Sequence, residues 1–129
     1  EHYHPLLRAL GVPFEDHGWM DRSRYIDSLG CRKVALAVFI SESVCYGAAD
    51  AAALGVPPVC SPVVAANLGL PAEFEVKEID DPPSIARVIR GLTANAEAYE
   101  WACEKARRCV DETAAVNNAH FRAVVTTIG

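Results

Sequence analysis

From Val34 to Ile40 every side chain is apolar, and the run stops abruptly at Ser41-Glu42-Ser43. An unbroken run does not separate helix from strand by periodicity. Its length and its polar stop favour a short strand buried on both faces, as in a parallel sheet. Tyr46 to Leu54 is Ala-rich, strongly helix-forming, and closed by Gly55. Val56 to Ser61 reads as a second short buried strand, entered through Pro57 and Pro58 and left through Pro62.

The same alternation extends along the chain. Residues 3 to 10 read as a short helix closed by Gly11, and Val12 to His17 as an extended approach or edge strand containing Pro13. Asp21 reads as the N-cap of a helix through Leu29, with Gly30 ending it. Val63 to Phe74 carries mixed signals and reads mostly as loop, and Glu75 to Ile79 alternates like a last short strand. Asp81-Pro82-Pro83-Ser84 is a helix start, followed by Ile85, Val88, Ile89 and Leu92 on one face. Asn95 to about Thr113 and Asn117 to Ile128 read as two further helices. Alternating strands and helices imply an α/β fold: an open parallel sheet of three to four strands with flanking helices, finished by C-terminal helices from about residue 80.

Composition narrows the function. With 51% apolar and 22% charged residues, 129 residues suffice for one core and do not read as a disordered tail. A net charge of -5, with three Lys among twelve basic residues, leaves no basic stripe for nucleic acid. No run reaches the roughly 18 apolar residues of a membrane span. The opening Glu-His-Tyr-His-Pro is neither a signal peptide nor a Met start, so the chain is expected to be trimmed from something longer. Five cysteines without C-x-x-C spacing suit reduced thiols in a cytoplasmic protein, and the four histidines frame no metal site.

In open parallel sheets, ligands bind where strands end and helices begin. Ser41 to Gly47 is such a junction, with free helix N–H groups suited to an anion. Glu42 precedes the helix and Asp50 lies one turn inside it. Carboxylates so placed can each accept hydrogen bonds from sugar or ribose hydroxyls. On spacing alone, a Glu ahead of a helix is more often a cap or solvated charge, and an Asp within one a surface charge.

The segment Glu42-Ser-Val-Cys-Tyr-Gly-Ala-Ala-Asp50-Ala-Ala-Ala-Leu-Gly55-Val-Pro57-Pro-Val-Cys-Ser61 resembles the E-x7-E segment of retaining GT-B glycosyltransferases. Gly18-Trp-Met-Asp-Arg-Ser-Arg-Tyr25, Val34 to Ser41, and Ile79-Asp-Asp-Pro-Pro-Ser-Ile85-Ala are similar to its flanks, so the likeness spans roughly residues 11 to 125. The resemblance implies a single partial, Rossmann-like C-terminal domain that binds a nucleotide sugar such as a UDP- or GDP-sugar, with no metal and no other cofactor. Glu42 would contact the donor sugar and Asp50 the ribose hydroxyls. Backbone at Ser43, Val44, Cys45 and Tyr46 would face sugar or diphosphate, and Gly18, Trp19 and Met20 the nucleobase. Gly55 and Pro57 would be architectural.

Two departures qualify this likeness. The second acidic position is Asp50 where the family more often has Glu, one methylene shorter. The family's phosphate-clamping Arg and Lys have no matching segment; Arg22, Arg24, Arg32 and Lys33 are the basic residues nearby and read as solvated charges. The acceptor-binding N-terminal domain is absent from this chain, which alone is expected to hold half a donor site and catalyse little. An epimerase would take the same class of ligand. The alternative from a different class is a non-catalytic α/β interaction module. The acidic cluster and late Lys of a response regulator are not recognisable.

Overall fold

The computed structural model describes residues 4–38 and 45–128. Its elements begin and end where local chemistry dictates. Helix α1 (His4–Ala9) closes at Gly11, whose φ of 66° is left-handed. In α2 (Arg22–Gly30), the Asp21 carboxylate caps the first turn by accepting from the Arg24 N–H. Strand β1 (Ala35–Ala37) leads towards α3 (Tyr46–Ala53) and β2 (Pro58–Cys60). Asp81 caps α5 (Pro82–Leu92) by accepting from Ser84 N–H, with prolines in the first turn where no intrahelical donor is needed.

The C-terminus of α3 shows why Gly55 is there. Its N–H donates to the Ala52 carbonyl at 2.9 Å, and Val56 N–H to the Ala51 carbonyl at 2.8 Å. That double closure requires a left-handed residue, and Gly55 has φ 75°. The reversal brings the chain directly into β2.

The expected open sheet of three to four strands is overturned. Among the described residues the chain is mostly helical, and the sheet is one parallel pair, with Ala35, Leu36 and Ala37 opposite Pro58, Val59 and Cys60. Residues 39 to 44 of the expected first strand and its polar stop lie outside the described residues. Nor is β1 buried on both faces: Ala37 is buried, but Leu36, whose side chain points to the opposite face, is 56% exposed. The strand expected over Glu75 to Ile79 reduces to one parallel bridge between Cys60 and Glu75, with Val76 N–H donating to Cys60 carbonyl at 2.8 Å. The Asp81 cap and two prolines then turn the chain into α5.

Two helical readings also change. Val63 to Phe74 is not mostly loop: α4 (Pro62–Asn67) and a 3-10 turn (Ala72–Phe74) occupy it. The two expected C-terminal helices are one, α6 (Ala96–Ile128), 33 residues long. Asn117 and Asn118 weaken a helix by tenths of a kcal/mol each, about 0.7 at most, and without Gly or Pro they do not break it.

The core lies between the β1–β2 pair, α3, α4 and the first half of α6, around Phe74, Val59, Val64 and Val76. Ala48 and Ala52 of α3 and Ala102 and Ala106 of α6 are buried, small side chains that let the two helices pack closely. Phe74 stacks obliquely on Trp101 with ring centroids 5.8 Å apart. The Tyr99 hydroxyl ties α6 to the entrance of β1 by donating to Lys33 carbonyl at 2.9 Å. Beyond Thr113, α6 leaves this body and its described side chains are exposed. Among the described residues, no helix is long and apolar enough to cross a membrane.

Candidate functional site

Two segments meet beside the N-terminus of α3. The first is the turn Gly18-Trp19-Met20, the second the opening of α3 itself. Asp16 shapes the turn: its carboxylate accepts from Gly18 N–H at 2.8 Å and pairs with His4 at 2.9 Å. The Gly18 hydrogen bond, seconded by His4, holds the Asp16 carboxyl below its ordinary range. Gly18 has φ 58°, so the backbone reverses and leaves Trp19 98% exposed.

Between these segments lies an open cleft of about 500 Å³ lined by Gly18, Trp19, Met20, Arg22, Tyr25, Tyr46, Gly47 and Asp50. Tyr46 is exposed, so with Trp19 it sets two aromatic faces on the cleft lining. Aromatic rings in such a place suit stacking against a base or the apolar face of a sugar. An ion pair forms part of the lining. Arg22 Nη1 donates to Asp50 Oδ2 at 2.9 Å, and Arg22 Nη2 to Asp50 Oδ1 at 3.0 Å. That is the parallel two-bond geometry in which guanidinium and carboxylate bind most strongly. It raises the Arg22 pKa further. The Tyr25 hydroxyl is also pushed up, by partial burial first and by Asp50 second.

Five expected site residues, Gly18, Trp19, Met20, Tyr46 and Asp50, therefore border one cleft. Cys45 does not present its side chain there; it is buried in the core at the start of α3. Glu42, Ser43 and Val44 lie outside the described residues. Asp50 also differs from the expected hydroxyl acceptor in its surroundings: both its oxygens are engaged by Arg22, and the side chain is 19% exposed. Arg22, read above as a solvated charge, is a member of the site. A contact between residues 28 positions apart leaves no local signature.

A larger cavity of about 770 Å³ lies on the other flank of Met20 and Tyr25. Arg32 organises its polar wall, donating to Ser28 Oγ at 3.1 Å and meeting His17 Nε2 at 2.9 Å. No sequence motif marks it. Among the described residues no group of three or more His, Cys, Asp or Glu is placed to hold a metal ion.

No family model, no curated protein and no solved structure matches the chain.

Proposed function

We propose that this chain is the donor-binding part of a glycosyltransferase that moves a sugar from a nucleotide sugar, such as a UDP- or GDP-sugar, to an acceptor. One observation carries the reading: Gly18, Trp19, Met20, Tyr46 and Asp50, singled out in two separated stretches of sequence, line a single cleft beside the α3 N-terminus. Its aromatic faces suit a base or sugar ring, and its guanidinium suits a phosphate. Glu42 is the carboxylate assigned here to the donor sugar, by resemblance. The acceptor would be bound by an N-terminal domain outside this chain, so transfer belongs to the whole enzyme. Five free thiols fit a reducing, cytoplasmic setting.

The competing reading, a non-catalytic interaction module, draws on α6. Its exposed half displays Val116, Phe121, Val124 and Val125, which suits a partner surface. The two are separated by titrating UDP- and GDP-sugars against this chain and its full-length parent, by NMR and calorimetry, together with a transfer assay on the parent. Saturable binding with shifts at Trp19 and Tyr46 supports a donor site. Absence of binding and of sugar transfer in the parent refutes it.

A further inference from the structure

Within the cleft, exposure is divided unequally across the Arg22–Asp50 pair. The Arg22 side chain is 72% exposed and that of Asp50 19%. A guanidinium has five N–H donors, and Asp50 takes two of them, one from each terminal nitrogen. Three are not taken by Asp50, and they lie in a plane whose orientation Asp50 fixes. An exposed donor edge held still by a covered carboxylate is an arrangement for gripping an anion, since little rotamer freedom is left to lose on binding.

We infer that Arg22 is the anion-contacting residue of the cleft, taking the diphosphate of a nucleotide sugar, and that Asp50 is a positioning residue that acts through it. The ligand's identity rests on the donor-site reading above; the anion site does not. The inference reassigns Asp50, which otherwise would meet ribose hydroxyls directly. Trp19 and Tyr46 border the same cleft, so a group held by Arg22 would have an aromatic face beside it.

The two roles for Asp50 predict opposite signs. If Asp50 is merely a nearby negative charge, Asp50→Asn relieves repulsion and an anion binds more tightly. As the anchor that orients Arg22, its loss frees the guanidinium, and the anion binds less tightly. The experiment is calorimetric titration of inorganic pyrophosphate, UDP-glucose, a GDP-sugar and uridine into the wild type, Arg22→Gln, Arg22→Lys and Asp50→Asn. The guanidinium resonances of Arg22 are followed by NMR alongside. Arg22→Gln should weaken pyrophosphate roughly tenfold or more, the loss expected for charge-assisted hydrogen bonds. Arg22→Lys should recover only part of that, because it keeps the charge and lacks the fork. Asp50→Asn should also weaken pyrophosphate, with Arg22 resonances broadened or averaged, while uridine is unaffected throughout.

Tighter pyrophosphate binding by Asp50→Asn would overturn the positioning role, as would pyrophosphate binding indifferent to Arg22→Gln. No binding of pyrophosphate to the wild type would overturn the anion site. Loss of pyrophosphate binding in Arg22→Gln, with no response to UDP-glucose or a GDP-sugar, would uphold the anion site and remove the sugar-nucleotide reading. Should Asp50→Asn fail to fold, Asp50→Glu keeps the charge but displaces the carboxylate by one methylene: weaker pyrophosphate binding then upholds the positioning role, and unchanged binding overturns it.

Discussion

A β-carbon placed on Gly47 would lie 3.4 Å from the Tyr25 hydroxyl. The Tyr25 side chain of helix α2 thus lies against the first turn of α3, and both residues line the candidate cleft. At that separation a methyl group just fits, and Ala is the better helix former by up to about 1 kcal/mol. Gly47→Ala should leave stability within about 1 kcal/mol of wild type. Gly47→Leu should displace Tyr25 and cost about 1–3 kcal/mol. Urea unfolding compares the two; equal effects would mean that Tyr25 does not press on α3.

Gly55 is a harder constraint. Its φ of 75° is left-handed, and a β-carbon there would run into the Arg107 guanidinium. Arg107 is flexible and can swing away, so the backbone dominates. Gly55→Ala should cost about 1–2 kcal/mol, the left-handed penalty for a residue with a β-carbon. Gly55→Asn, better suited to that conformation, should cost less, and denaturant midpoints give the ranking.

The turn that carries Trp19 should loosen in acid. Asp16 titrates below its ordinary value because the ionised form accepts from Gly18 and pairs with His4. A lowered folded-state pKa means the contribution is complete above the unfolded value of 3.8 and is lost as pH falls through the lower, folded one. The Gly18 amide proton should therefore shift with a midpoint below 3.8. In Asp16→Asn, which keeps an oxygen acceptor, that titration should vanish.

Burial separates the cysteines. The Cys60 thiol, wholly buried in the core, is pushed up to about 12, by burial first and by neighbouring Cys45 second. At pH 8 its thiolate is about one part in ten thousand. Alkylation of the native protein should modify exposed Cys31 first, and Cys45, Cys60 and Cys109 only on unfolding. Mass spectrometry of partially labelled protein reads the order; early labelling of Cys60 would contradict the core described above.

Helix ends marked by a capping residue were legible, because caps are local chemistry, whereas the end expected near Thr113 has no cap signal and α6 runs through it. Asp21, Asp81 and Gly55 act as their residue types suggest. Sheet size was not legible. A run such as Val34 to Ile40 records apolar side chains without recording how many strands lie beside it, and Leu36 is consequently exposed where burial was expected. Helix α4 was hidden by its two β-branched valines, although Ser61-Pro62 is an acceptable start. In the cleft, Asp50 is singled out by its place at a strand–helix junction, Trp19 and Tyr46 only by the resemblance, whereas Arg22 became visible only when the fold brought α2 onto α3.

The central claim is that the cleft beside α3 receives a nucleotide sugar. The chain has two tryptophans, Trp19 on the cleft and Trp101 packed on Phe74. Their two indole N–H resonances can be followed while UDP- and GDP-sugars are titrated in. A saturable shift of the Trp19 signal with Trp101 unmoved is the predicted result; no movement of Trp19 at millimolar concentrations of either donor would contradict it.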